Sequence, residues 1–214
     1  MQNIFEFTDR IIHSDCLTAL PQLPGGSVDL VLTDPPYLVG YRDRSGRTVA
    51  GDDNDSWLLP AFSELHRVLK SGSVCVSFYG WNAVDKFFAA WRSAGFSILG
   101  HLVWVKRYCS NTGVLAYCHE QAYLLGKGRV KRPPQPIADV LDWQYTGNPL
   151  HPTQKPVRSL KPVIEAFSQR GGIVLDPFCG SGSSLLAAKI LRRRYIGVEL
   201  DRAHCETARR RLGK

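Results

Sequence analysis

The sequence predicts an α/β domain with a mostly parallel, twisted sheet. Three observations lead there. Short apolar runs of strand length alternate with segments of helical period, the pattern of βαβ units. The run VDLVLT at residues 28–33 is almost continuously apolar, as a strand covered on both faces must be. The chain has 214 residues, which suits a single domain, 1–214, with little room for a second. Taken in order, residues 11–14 are a short β-rich run ending at Asp15. The strand at 28–33 stops at Asp34-Pro35-Pro36-Tyr37, because proline supplies no ladder N–H. Residues 38–56, rich in Gly, Asp and Arg, are too long for a plain connector and predict a mobile loop beside the end of that strand. Residues 57–69 place Leu58, Ala61, Phe62, Leu65, Val68 and Leu69 on one helical face, and Lys70-Ser71-Gly72-Ser73 closes the helix. A strand at 74–78, a helix at 83–94 and strands at 97–105 and 122–125 follow. Residues 127–150 contain Pro133, Pro134, Pro136 and Pro149 and are expected to be irregular. Residues 160–168 read as helix, 173–175 as strand, 183–191 as helix, 195–198 as strand and 202–212 as a closing helix.

Composition narrows the function classes. With 44% hydrophobic and 21% charged residues, wholesale disorder is excluded. No stretch approaches the ~18 apolar residues of a membrane span. The first ten residues carry Glu6 and Asp9 and no apolar signal core, so a cytoplasmic location is expected. A net charge of +8 favours a polyanionic partner, most often nucleic acid. That charge is uneven: residues 1–105 carry −3, 106–132 carry +5, 133–188 are neutral and 189–214 carry +6. The six cysteines (16, 75, 109, 118, 179 and 205) form no CxxC pair and no zinc spacing, so reduced thiols and no metal are expected.

Two segments carry chemistry. The strand at 173–175 runs through Asp176 into Pro177-Phe178-Cys179-Gly180-Ser181-Gly182 and then a helix. Glycines at a strand-to-helix turn let a ligand approach the backbone, and Glu199 after the next strand is placed to accept from ribose hydroxyls. A tight turn with a solvated Glu would read the same way, so GxG alone decides little. Leu185 stands where a dinucleotide fingerprint has its third glycine, which counts against a nicotinamide cofactor. Asp34-Pro35-Pro36-Tyr37 is more specific. A carboxylate and a proline-fixed carbonyl can both accept from one exocyclic amino group, and an aromatic ring can stack on the same base. A proline turn with Tyr37 in the core is the plainer alternative. Asp15, Asp34, Asp176 and Glu199 all stand at strand ends, where parallel sheets bind their ligands.

The motifs in chain order resemble the S-adenosylmethionine-dependent DNA amino-methyltransferases, the N6-adenine/N4-cytosine family. They are SDC (14–16), DPPY (34–37), RVLKSGSVCVSF (67–78), HEQAYLLGKG (119–128), HPTQKP (151–156), DPFCGSG (176–182) and GVELD (197–201), and they span nearly the whole chain. A catalytic motif first and a cofactor loop last is the order of the family's beta group. The resemblance implies a Rossmann-like class I methyltransferase fold with circularly permuted motifs. It implies S-adenosylmethionine as cofactor and double-stranded DNA as substrate, in a restriction–modification pair or as a solitary enzyme.

Site residues follow from the same motifs. Asp34, Pro35, Pro36 and Tyr37 resemble the catalytic target-base site, with Asp34 also bordering the cofactor. Asp15 beside Cys16 resembles the ligand of the cofactor's adenine. Asp176, Phe178, Cys179, Gly180, Ser181 and Gly182 resemble the loop around its methionine part. Thr153 and Lys155 fall near the methionine carboxylate, and Glu199 with Leu200 near the ribose. His119-Glu120 resembles an architectural motif. The implied reaction flips a base out of the duplex and attacks the sulfonium methyl directly and in line. Cys179 lacks the Pro-Cys context of cytosine-C5 enzymes and is not expected to be a nucleophile.

DPPY rather than SPPY leans to adenine-N6 over cytosine-N4 by family usage, not by physics. An RNA or protein amino-methyltransferase is disfavoured by the permuted order, and a non-catalytic nucleic-acid-binding protein by the intact motifs. Larger members of the family carry a separate recognition insert; here the loop 38–56 and residues 106–150 are the candidate DNA-recognition regions, so recognition is brief in sequence or shared across a homodimer. Lys106, Arg107, Lys127, Arg129, Lys131 and Arg132 are the expected DNA contacts there, with Arg42, Arg44 and Arg47 on the loop beside the pocket.

Overall fold

The computed structural model describes residues 3–41, 46, 49–109, 114–145, 147, 150 and 154–213. The strands are β1 (Arg10–His13), β2 (Val28–Thr33), β3 (Leu69–Phe78), β4 (Ser97–Val105), β5 (His119–Gly126), β6 (Val140–Asp142), β7 (Ile173–Asp176) and β8 (Arg194–Glu199). The helices are α1 (Cys16–Ala19), α2 (Leu58–Val68), α3 (Val84–Ser93), α4 (Val157–Phe167), α5 (Ser183–Ile190) and α6 (Arg202–Arg211). Among the described residues the strands form one sheet in the order β1-β8-β7-β2-β3-β5-β4-β6. Only β5 runs against its neighbours, so the sheet is mostly parallel, as the sequence predicts.

Helices cover both faces, which explains why β2 is apolar on both. Val31, Cys75, Leu175 and Ile196 point into a core shared with α1, α2 and α3. Leu30, Leu32, Val74, Val76 and Val174 point into a second core shared with α4, α5 and α6. Four of the six cysteines (16, 75, 179 and 205) are buried in these layers.

The chain winds in opposite directions from β2 and β7. From β2 it passes through α2 on one face to β3; from β7 it passes through α5 on the other face to β8. The two strands are nonetheless neighbours, with Leu30 opposite Val174 and Val31 opposite Leu175. Their carboxyl ends therefore form the switch point of the sheet, where helices diverge and leave a crevice. Asp34 and Asp176 stand at that crevice.

Three local expectations are revised. β3 begins at Leu69, directly after α2. Lys70-Ser71-Gly72-Ser73 is therefore strand rather than helix stop, with Gly72 at φ +82° absorbing the irregularity. β5 is eight residues long rather than four, because pairing with both β3 and β4 extends it past its apolar centre. Residues 127–150 are not wholly irregular: after Pro133, Pro134 and Pro136 the chain adds β6 in parallel to the outer edge of β4. No helix among the described residues is long and apolar enough to cross a membrane.

Candidate active site

A cavity of about 960 Å³ opens at the carboxyl ends of β1, β8, β7 and β2. It is lined by Asp15, Cys16, Asp34, Pro35, Pro36, Tyr37, Lys155, Asp176, Phe178, Cys179, Gly180, Ser181, Glu199 and Leu200. The motifs at opposite ends of the sequence thus meet in one place.

At the β1–β8 end, the Asp15 Oδ1 accepts from the Leu17 N–H at 2.7 Å and caps α1. Ser14 N–H donates to the Glu199 carbonyl at 3.1 Å, which ties the SDC turn to β8. Glu199 holds the glycine loop: its Oε2 accepts from Gly180 N–H at 2.8 Å and its Oε1 from Asp201 N–H at 2.8 Å. A carboxylate has about four acceptor positions, so Asp15 and Glu199 both retain capacity toward the cavity. Asp176, buried at the end of β7, accepts from Phe178 N–H at 3.1 Å and from the Ser184 hydroxyl. Burial pushes its carboxyl up to about 7, against the pull of those hydrogen bonds.

The β2 end carries the DPPY turn. Asp34 Oδ1 accepts from the Tyr37 hydroxyl at 2.7 Å, and Lys155 Nζ lies 2.5 Å from Asp34 Oδ2. Desolvation raises the Asp34 carboxyl above its ordinary value, while Lys155 opposes that rise. Burial, then the Asp34 charge, pushes the Tyr37 phenol well above its usual range, so it stays a donor. Gly80 packs on this turn: a Cβ there would lie 2.4 Å from the Tyr37 carbonyl oxygen. Only a glycine after β3 lets the DPPY backbone come so close.

Several sequence expectations change. Gly182 does not line the cavity; it has φ +78° and faces α6, where a Cβ would sit 3.0 Å from the Ala208 Cβ. Lys155, just ahead of the Pro156 cap of α4, stands against Asp34. Thr153, Arg42, Arg44 and Arg47 lie outside the described residues. Cys179 lines the cavity, but its sulfur packs toward Gly197 and burial holds the thiol well above its usual range. A thiol held up in this way stays protonated.

The basic residues of 106–132 also divide. Lys106 is corrected from DNA contact to buried ion pair: its side chain is 4% exposed and it pairs with Glu120. Lys127 is corrected likewise. Its Nζ donates to the carbonyls of His66, Arg67 and Leu69 at 2.6, 3.2 and 2.7 Å, neutralising the C-terminal end of α2. Arg129 is exposed at the amino end of β3, its carbonyl beside Gly72, far along the sheet from DPPY. Lys131 and Arg132 are exposed on the segment leaving that end. Arg107, exposed just past β4, is at the cavity's end of the sheet.

Three contributors had no motif to mark them. Asp52 is buried, and its carboxylate accepts from the N–H groups of Leu38, Val39 and Tyr41 at 2.7, 3.3 and 2.5 Å, which shapes the wall after DPPY. Trp57 packs edge-on against Phe178 at 5.1 Å and donates to the Gly51 carbonyl. Arg211 donates from one nitrogen to the Ser181 carbonyl, Ser181 hydroxyl and Ser183 hydroxyl at 2.7, 3.0 and 3.2 Å. The sequence signal for Asp52 was an Asp-rich run beginning one residue after a glycine.

Comparison with known proteins agrees with this geometry. A family model described as DNA methylase matches residues 28–210. The Escherichia coli (strain K12) protein called "Putative methylase YubD" is 55% identical over 203 residues, covering 95% of this chain and 89% of that one. The crystal structure of an M1.HpyAVI–SAM complex superposes with a TM-score of 0.77 at 24% identity, covering 96% of this chain and 99% of that one. The PvuII DNA methyltransferase, a cytosine-N4-specific enzyme, superposes with a TM-score of 0.79 at 15% identity, covering 94% of this chain and 85% of the other. These structural likenesses are to the class I methyltransferase fold.

Proposed function

The chain belongs to the DNA methylase family, and on that premise we propose that it moves the methyl group of S-adenosylmethionine to the exocyclic N6 of adenine in duplex DNA. The observation that carries this reading is the single cavity joining Asp15 and Glu199 to Asp34 and Tyr37. Its volume is in the range of small-molecule sites. Its acceptor carboxylates at β1 and β8 suit a nucleoside, and its Phe178–Trp57 wall suits an uncharged stem. The residues therefore fit the cofactor, with Asp15, Gly180, Ser181 and Glu199 as the holding groups. When bound, S-adenosylmethionine supplies an electrophilic methyl on a sulfonium.

The chain's own residues supply the rest. Tyr37 offers a ring to a base extruded from the duplex, offsetting part of an unstacking cost of a few kcal/mol. Asp34 and the Pro35 carbonyl accept the amino hydrogens and favour a pyramidal nitrogen with a free lone pair. Their fixed positions, rather than a covalent nucleophile, lower the barrier. The adenine assignment rests on DPPY; cytosine-N4 is the second reading, because its amino group meets the same acceptors.

The test is to incubate the purified chain with duplex DNA and labelled S-adenosylmethionine, then digest and identify the methylated nucleoside. N6-methyladenine is expected. N4-methylcytosine would replace the adenine assignment, and label in RNA or protein but not DNA would overturn the reading. Asp34→Ala is expected to keep cofactor binding and lose transfer.

A further inference from the structure

Lys155 occupies a seat built for a cation, and that seat belongs to Asp34. Its Nζ lies 2.5 Å from Asp34 Oδ2, with the lysine side chain only 9% exposed. It also stands 5.0 Å from the Phe78 ring centre and 5.4 Å from that of Tyr37. Two ring faces and a carboxylate enclose the ammonium, an arrangement that favours positive charge. The surroundings are otherwise rich in acid. The Glu120 charge on β5 pushes the Asp34 carboxyl up, and Asp34 in turn pushes up Asp176 at the end of β7. Lys106 is committed to Glu120. Tyr37 donates one hydrogen bond to Asp34 but brings no charge. Among the described residues, Lys155 is thus the cation in contact with Asp34.

The chemistry gives this contact a purpose. Asp34 accepts most strongly from an amino N–H as a carboxylate; a carboxylic acid would present its own O–H and pull less on the amino hydrogens. With Lys155 and Tyr37 bound, about two of its four acceptor positions remain. Building on the methyl-transfer reading, we propose that Lys155 is a positioning residue for catalysis: it keeps Asp34 ionised and fixes which of its lone pairs face the target amino group. This role differs from holding the carboxylate of the cofactor.

The test reads Asp34 directly. Protein labelled with carboxyl-¹³C aspartate is titrated by NMR, with the Asp34 signal assigned by its loss in Asp34→Asn. In Lys155→Met and Lys155→Gln, each checked for folding by thermal unfolding, the Asp34 midpoint is expected to move up by about 1–3 pH units. Lys155→Arg is expected to restore most of the shift. Asp176 titrates in every variant, so only the difference between variants is read. The cofactor dissociation constant of the two neutral variants, measured with labelled S-adenosylmethionine, is expected to change less than about threefold. An unmoved Asp34 midpoint overturns the proposal. So does a cofactor affinity that falls tenfold or more with the midpoint unchanged, which would seat Lys155 at the methionine carboxylate. Failure of the wild-type chain to methylate DNA would instead remove the methyl-transfer reading, and the NMR titration would stand apart from it.

Discussion

Replacing Gly182 by Ala separates two roles for the second glycine of the DPFCGSG loop. The sequence places it against the cofactor; the structure places it against α6. Two costs apply. At φ +78°, a side chain pays ~1–2 kcal/mol for the left-handed conformation. The new Cβ would lie 3.0 Å from the Ala208 Cβ and 3.5 Å from its Cα, and relieving that overlap in a packed layer adds ~1–3 kcal/mol. The expected loss is about 2–5 kcal/mol, which for a chain of this length lowers the unfolding midpoint by roughly 4–20 °C. Scanning calorimetry at fixed pH measures it. Ala208→Gly in the same background removes the overlap but not the backbone strain, at its own helix cost of ~1 kcal/mol. A double-mutant cycle should therefore show coupling of about 1–2 kcal/mol between the two positions. If Gly182→Ala leaves the midpoint within about 2 °C and weakens S-adenosylmethionine tenfold, the packing argument is wrong and Gly182 is a cofactor residue.

Three further outcomes follow from the site. Asp52→Ala removes the acceptor of three backbone N–H groups next to DPPY. Charge-assisted bonds contribute ~1.5–3 kcal/mol each, so steady-state kinetics should show kcat/KM for DNA falling ~10–100-fold; an unchanged value would show that the wall does not depend on Asp52. Cys179→Ala should keep methyl transfer within a few-fold, since the buried thiol carries no charge to attack with; loss of all turnover with a trapped covalent DNA adduct in the wild type would contradict direct transfer. Asp176 titrates near 7 when folded and near 4 when unfolded. Its folded value is raised, so its contribution is full below pH ~4 and is lost as pH rises through ~7, an effect of up to ~4 kcal/mol. Relative to wild type, Asp176→Asn should then gain stability between pH 5 and pH 8 in thermal melts, and a constant difference across that range would refute the assignment.

What was legible in the sequence, and what was not, follows from how far apart partners stand. Asp34, Tyr37 and Glu199 each sit beside their own strand end, so a short motif carries both the residue and its place. The alternation of strands and helices likewise fixed the layers, because each element's apolar pattern records which faces are covered. Asp52 and Arg211 left no such mark. Asp52 reaches back 11 to 14 residues to bind backbone N–H groups, and Arg211 reaches 28 to 30 residues back to the glycine loop. Backbone groups have no sequence signature, so a residue that binds them is invisible until the chain is folded. β6 was missed for a related reason: a three-residue edge strand is defined by the neighbour it pairs with, not by its own composition.

The charge excess shows the same limit in sharper form. A count of Lys and Arg gives 106–132 a net +5, yet it cannot tell a phosphate contact from a helix cap. Lys106 is neutralised by Glu120 beneath the aromatic ring of Trp143, and Lys127 is saturated by three carbonyls of the α2 terminus. Arg129 is exposed at the wrong end of the sheet for a base held at Asp34. Of that segment's six cations, Arg107 is the exposed one whose place at the carboxyl end of β4 is established. Each phosphate contact steepens the salt dependence of binding by about one unit of log–log slope. Arg107→Ala should therefore flatten that slope measurably, while Lys127→Met should lower the unfolding midpoint and leave the slope as it was. If the two variants exchange these effects, the division of the segment into scaffold and surface charge is wrong.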